Sequence, residues 1–178
     1  MPFRIKQHPK AGPFSYEWYL DLFNKIDYKN QTVLDIGADW GRTPDMFLQL
    51  GATKVISVEG NKEWYDLLEY NSKHIDGIIP VFMWLETPDD IAKLIKKYTP
   101  DIVKISTWPW SRCENWLLSI PGNIITVADK YIFLSNHMSY QKEALGKLMA
   151  MFVRLNYKVT KKQHHVPVVT AVKRRNDS

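Results

Sequence analysis

The sequence is short of cysteine, of long apolar runs and of repetition, and each shortage excludes something. A single cysteine, Cys113, stands among 178 residues. That leaves no internal disulfide framework and no cysteine-rich zinc site, and it fits a reducing compartment. No apolar run reaches about 18 residues, so no helical membrane span is expected. The N-terminus lacks an apolar signal core, so a cytoplasmic protein is expected rather than a secreted one. No internal repeat or low-complexity segment appears, and the length suits one domain over residues 1–178. Adjacent His164 and His165 fall on a predicted strand. They would point to opposite faces, so they cannot chelate one metal together, and no metal site is expected. Neither charge sign dominates. The 24 Lys and Arg against 19 Asp and Glu leave +5, compatible with an anionic partner without requiring one.

Apolar residues make up 45% of the chain, with 7 Trp, 9 Tyr and 7 Phe among them. The chain is organised around Val33-Leu34-Asp35-Ile36-Gly37-Ala38-Asp39-Trp40-Gly41 and its echo Val55-Ile56-Ser57-Val58-Glu59. The first reads as a buried strand breaking into a glycine turn that opens a helix. Thr43 can cap that helix, Pro44 suits its first position and Gly51 can end it. The second reads as the next strand, closing on an acid. Glu59 stands 22 residues beyond Gly37, about where a ribose-binding acid belongs in a β-turn-α-β unit. The dinucleotide fingerprint G-x-G-x-x-G is not met, because Asp39 occupies its second glycine. Carboxylates at Asp35 and Asp39 would repel a pyrophosphate and suit a cationic ligand. S-adenosylmethionine, with a sulfonium, an amino group and a ribose diol, is such a ligand. A strand-turn-helix that binds nothing is the bland alternative.

Along the chain, residues 1–13 carry three prolines and read as an extended arm. A helix is expected from Phe14 to Ile26, packed on the sheet or serving as a lid. Another follows from Lys62 to His74, then a strand from Ile78 to Trp84. Thr87-Pro88-Asp89-Asp90 is a strong helix start, and Pro100 a stop. Asp101 to Ser106 reads as a fourth strand. A helix capped by Ser111 follows, with Cys113 on its buried face as a small core residue. A fifth strand is expected at Ile124 to Ala128, a long helix at Ser139 to Asn156, and two strands at Lys158 to His164 and Val168 to Lys173. This order predicts an α/β, Rossmann-like, doubly wound fold. Its seven-stranded sheet would be mostly parallel, with helices on both faces and a C-terminal antiparallel strand. Ligands in such sheets bind at the carboxyl ends of the strands.

These residues carry a resemblance. Val33 to Gly41, then Val55-Ile56-Ser57-Val58-Glu59-Gly60-Asn61, then Leu67-Leu68-Glu69-Tyr70-Asn71 are similar to class I S-adenosylmethionine-dependent methyltransferases, most closely the FkbM-type family. The family pattern runs near V-L-D-I-G-A-N-x-G-x-T, V-x-x-x-E-P and L-x-x-N. The likeness covers about residues 30–75 well, weakens to about 120, and beyond that rests on element order. It implies that S-adenosylmethionine is the cofactor. Gly37, Ala38, Asp39 and Gly41 would wrap its methionine end, with Thr43 on the family's threonine. Asp35 would orient that loop and reach the amino group, Glu59 would take the ribose hydroxyls, and Gly60 and Asn61 would lie towards the adenine. Trp84 or Glu86 would stand at the position that often touches the adenine amino group.

The chain departs from the family in three places. Asp39 replaces an asparagine and Gly60 a proline. After the fourth strand, where the family shows K-I-D-x-E-G, this chain has Lys104-Ile105-Ser106-Thr107-Trp108-Pro109-Trp110. Both carboxylates are gone, so acid-base or metal roles there are in question. Ser106, Trp108 and Trp110 are the candidate catalytic residues, supplying an aromatic acceptor pocket. Methyl transfer from a sulfonium depends largely on positioning and desolvation, which such a pocket can provide. A packed Trp-Pro-Trp turn is the structural alternative. The function expected is methyl transfer to a small-molecule, glycan or nucleic-acid acceptor. The alternative is an inactive module with this fold that binds nucleic acid or another partner through basic residues such as Lys158, Lys161, Lys162, Lys173, Arg174 and Arg175. Those charges also read as a solvated sheet edge.

Overall fold

The computed structural model describes residues 4–8, 16–106, 110–134, 142–162 and 168–174. Trp108, Arg175, both candidate histidines at 164 and 165, and the arm outside residues 4–8 lie outside the described residues. Two compact units divide the chain, Met1–Trp84 and Leu85–Ser178. Its strands make a mixed seven-stranded sheet, three of them in the first unit and four in the second. No helix among the described residues is long and apolar enough to cross a membrane.

The first unit contains α1 (Tyr16–Phe23), β1 (Thr32–Ile36), α2 (Arg42–Gln49), β2 (Lys54–Glu59), α3 (Lys62–Ser72) and β3 (Ile78–Phe82). All three strands run parallel, with Val33 opposite Val55 and Val55 opposite Ile78. Apart from Asp35 and Ser57, both fully buried, the residues from Val33 to Ile36 and Val55 to Val58 are apolar, because both faces are covered. Val33, Leu34, Ile36, Val55, Ile56 and Val58 are buried. Pro80 sits within β3, opposite Ser57. It is tolerated because β3 ends its row, so the missing N–H interrupts no second ladder. β3 closes at Phe82, short of the expected Trp84. The described part of α1 stops at Phe23, short of Ile26. Phe23 meets Phe47 of α2 edge-on at 5.3 Å, and Tyr28 stacks on the same ring at 5.0 Å.

The second unit contains α4 (Pro88–Tyr98), β4 (Ile102–Ile105), α5 (Trp110–Ser119), α6 (Gly122–Ile125), β5 (Lys130–Leu134), α7 (Lys142–Arg154), β6 (Tyr157–Lys162) and β7 (Val168–Lys173). β5 lies parallel to β4, and β7 runs antiparallel to both β5 and β6. The one reversed strand is the one expected near the C-terminus. The start of α4 forms as expected. The Asp90 carboxylate accepts the N–H groups of Glu86 and Thr87, each at 3.0 Å. Those bonds favour its charged form and hold its pKa below the ordinary value.

Two expectations fail here. The run Ile124 to Ala128 is not a strand. Pro121 opens a short helix, with its carbonyl accepting the N–H of Ile124 at 2.9 Å, and the strand begins only at Lys130. A five-residue, mostly apolar run cannot be assigned by periodicity, and the helix buries Ile124 and Ile125 as well as a strand would. Ser111 is not a cap either, because α5 already begins at Trp110.

Behind β5 and β6 lies an aromatic cluster. Phe152 of α7 stands 4.9 Å from Tyr131, 5.4 Å from Phe133 and 5.2 Å from Tyr157. Both tyrosine hydroxyls are satisfied. Tyr131 donates to the Ile125 carbonyl at 2.9 Å and Tyr157 to that of Ala128 at 2.5 Å. Burial, with Asp129 nearby, pushes the Tyr157 phenol up to about 12.

Candidate functional site

The site expected from sequence falls in the first unit, at the carboxyl ends of β1 and β2. After Ile36 the chain leaves β1 through three residues with positive φ: Gly37 at +79°, Asp39 at +54° and Gly41 at +107°. Such angles suit glycine, and aspartate tolerates the left-handed region better than most residues. The turn is tied to β2 by its own backbone, since the N–H groups of Gly37 and Ala38 both donate to the Val58 carbonyl, at 2.9 and 3.1 Å. Gly41 is favoured by its φ, since an added Cβ would meet Leu68 Cδ1 only at an ordinary contact of 3.4 Å.

Helix α2 starts differently from the sequence reading. Gly41 is its N-cap and Arg42 its first residue. Thr43 lies inside the first turn, and its hydroxyl donates to the fully buried Asp35 carboxylate. Pro44 consequently falls at the third helical position, where its missing N–H still costs nothing. Gly51 does follow the helix end, at φ +106°.

Glu59 is the hinge of the site. It closes β2 and is 8% exposed. One carboxylate oxygen accepts the Asp39 N–H at 3.0 Å and the other accepts the Asn61 N–H at 2.7 Å. A single side chain thus joins the β1 turn to the loop after β2. Burial raises its pKa. The neighbouring Asp39 charge adds to the rise, and the backbone N–H bonds oppose it. Asn61 is committed to the start of α3, its side chain accepting the Trp64 N–H at 3.2 Å. Gly60 must be small, because a Cβ there would lie 2.7 Å from Cε3 of Trp84. Trp84 itself is 61% exposed, its ring set against the backbone beside Glu59. Glu86, the other candidate for this position, lies in the second unit at the start of α4.

Arg42 was not singled out by the sequence reading. Its guanidinium reaches the Asp39 carboxylate at 2.7 Å and lies 4.1 Å over the Trp40 ring. Asp39 is therefore already paired, which modifies the expectation of two uncompensated carboxylates at the turn. Asp35, Asp39 and Glu59 still outnumber the one guanidinium, so a cationic ligand remains the better electrostatic match. An arginine one residue past a glycine turn carries no periodic or motif signal, and only the folded turn brings it back onto Asp39. Of the catalytic candidates, Ser106 directly follows β4 and is half-buried, and Trp110 begins α5. Cys113 lies within α5.

No protein-family model matches the sequence, and no curated protein sequence matches it. The fold does match solved structures. It is similar to a methyltransferase from Pyrococcus furiosus, with TM-score 0.66 and 13% identity over 96% of this chain and 89% of that one. It is similar to precorrin-6y C5,15-methyltransferase from Geobacter metallireducens, with TM-score 0.63 and 14% identity over 96% and 95%. It is also similar to fibrillarin from Aeropyrum pernix, solved with natively bound S-adenosyl-L-methionine, with TM-score 0.62 and 12% identity over 86% and 72%. The chain therefore has the Rossmann-like fold of class I S-adenosylmethionine-dependent methyltransferases.

Proposed function

We propose that this protein binds S-adenosylmethionine between the turn 37–41 and Glu59–Asn61, and transfers its methyl group to an acceptor. The observation that carries this reading is Glu59, a nearly buried carboxylate at the tip of β2, oriented by two backbone N–H groups. A carboxylate has about four lone-pair sites. Two serve the backbone here, leaving acceptor capacity for the two hydroxyls of a ribose. Asp35, Gly37, Ala38, Asp39, Gly41 and Thr43 would form the wall for the methionine end, and Gly60, Asn61 and Trp84 the wall for the base. The bound cofactor would supply an electrophilic methyl on a sulfonium. The protein's part is to orient that group, exclude water and hold the acceptor in line.

Within the class, the motifs at 33–41, 55–61 and 67–71 favour an FkbM-type relationship. Ser106, Trp108 and Trp110 are the residues we assign to the acceptor side, which would be a small molecule, a glycan or a nucleic acid in a cytoplasmic protein. A second reading has one observation in its favour. Ser106 stands where a strand-four carboxylate would be, which suits a module that binds the cofactor, or nucleic acid through its basic residues, without chemistry.

Calorimetric titration with S-adenosylhomocysteine and S-adenosylmethionine tests the cofactor site. Micromolar binding is expected, and a folded protein that binds neither would overturn the proposal. Binding without transfer across acceptors of all three classes would favour the inactive module.

The charge on Asp39 gives a pH test. Glu59 must be ionised to accept both hydroxyls, so affinity should fall on acidification through its raised pKa. Asp39→Asn removes a like charge that contributes to the rise. The acid limb of the affinity profile should then move to lower pH, with neutral-pH affinity within about threefold of wild type.

A further inference from the structure

Helices α2 and α3, beside the glycine turn, each bury a polar side chain that bonds to residues far away in sequence. Asp45 of α2 is fully buried and Asn71 of α3 is 2% exposed. Both are used by the N-terminal arm. Asp45 accepts the Arg4 N–H at 2.8 Å and Arg4 Nε at 2.7 Å. Asn71 Oδ1 accepts the Lys6 N–H at 2.9 Å, and Asn71 Nδ2 donates to the Lys6 carbonyl at 3.1 Å. Arg4 and Lys6, two apart in the chain, thus reach different helices. Ile5 between them is buried in a cluster with Ala38, Trp40 and Leu68. His8 follows, buried, 5.6 Å from the Trp40 ring and 3.1 Å from a Glu63 oxygen. Residues 4–8 are thus held against α2, α3 and Trp40.

Asn71 has one more bond, and it leads to the turn. Nδ2 donates to the Trp40 carbonyl at 2.7 Å. One amide group thus holds the arm at Lys6 and the turn at Trp40, immediately before Gly41. Ile5 touches the same place, its Cγ2 3.9 Å from where a Gly41 Cβ would be.

We infer that Asn71 is a positioning residue coupling the N-terminal arm to the turn 37–41, so that a seated arm keeps the turn in the shape that accepts the cofactor. This rests on the proposed cofactor site for its effect on binding, and on geometry alone for the coupling. An amide is required because it accepts from one partner while donating to two others, which neither alanine nor aspartate can do. The arm therefore contributes to affinity without touching the ligand, by limiting the turn's freedom before binding.

The test is a double-substitution cycle with two readouts. Asn71→Ala removes all three bonds. Lys6→Pro removes the arm N–H, together with the Lys6 ammonium 5.2 Å from the Tyr70 ring, and leaves the Asn71–Trp40 bond possible. Hydrogen exchange in unliganded protein should show faster exchange of segments 4–8 and 37–41 in both variants, with β1 and β2 unchanged. Each substitution should weaken S-adenosylhomocysteine binding by about tenfold, and the pair together by little more than the stronger single. Independent, multiplicative losses would overturn the coupling, as would Lys6→Pro freeing the arm while 37–41 exchanges at the wild-type rate. If Asn71→Ala does not fold, Lys6→Pro and Arg4→Ala carry the same comparison through the arm alone. A wild type that binds no cofactor fails the proposed function, and the exchange result still decides the coupling.

Discussion

Glu59→Ala is expected to weaken S-adenosylhomocysteine binding by at least about 100-fold. A hydrogen bond to a charged group is worth roughly 1.5–3 kcal/mol, and about 2.7 kcal/mol corresponds to 100-fold. The ribose diol would lose two such bonds at once. The loop after β2 would also lose its tie to the β1 turn, because the Asp39 and Asn61 N–H groups both end on this carboxylate. Glu59→Gln separates binding from folding. It keeps an acceptor for one N–H and removes the charge. The folded carboxyl has a raised pKa, chiefly from burial. Folding therefore disfavours its ionised form, and its contribution to stability is lost as pH rises from the unfolded pKa through the folded one. At pH 7 the removed charge and the one N–H left facing the glutamine amide act in opposite directions, so Glu59→Gln should melt near the wild-type temperature while binding at least tenfold more weakly. On acidification through the raised pKa of Glu59 the wild type should gain stability relative to the variant. A variant that melts clearly lower at pH 7 and binds normally would mean that Glu59 is a structural acid only. Thermal melts across pH, run beside the calorimetry, provide the comparison.

Phe152→Ala should carry the largest cost in stability, about 3–5 kcal/mol. Its ring is fully buried and within 5.4 Å of three others, Tyr131, Phe133 and Tyr157. Alanine would open a cavity walled by strand residues that cannot collapse into it without breaking the β5–β7–β6 ladder. It would also loosen Tyr157, whose hydroxyl lies 2.5 Å from the Ala128 carbonyl. Phe152→Leu fills most of the space and should cost only about 1–2 kcal/mol. Urea denaturation monitored by circular dichroism measures both. Similar midpoints for the two variants would show that the cluster relaxes around a smaller side chain.

Much of the fold could be read from the chain because its signals are local. Val33 to Ile36 and Val55 to Val58 are apolar but for Asp35 and Ser57, as strands covered on both faces tend to be, and Gly37, Gly41 and Gly51 mark backbone angles that few other residues adopt. Thr87, Pro88 and Asp90 start α4 by bonds made within four residues. Misreadings came where local patterns are ambiguous. Ile124 to Ala128 is β-branched and apolar, but Pro121 and Gly122 set a helical turn first. Thr43 has a capping side chain, but the left-handed Gly41 moves the helix start two residues earlier and gives the hydroxyl to Asp35.

The sequence by itself determined β1, β2, the glycine turn between β1 and α2 and the acid at the tip of β2, because each depends on residues a few positions apart. Only the tertiary structure decided what those parts touch. Glu59 meets the Asp39 backbone across twenty residues, Arg42 returns to Asp39 and covers Trp40, and Asn71 joins the arm at Lys6 to the turn across sixty-five. A buried carboxylate or amide in a sequence shows that a partner exists, since an unpaired one would be costly. Which partner it finds depends on chain closure over long separations, and that is set by packing rather than by any local pattern.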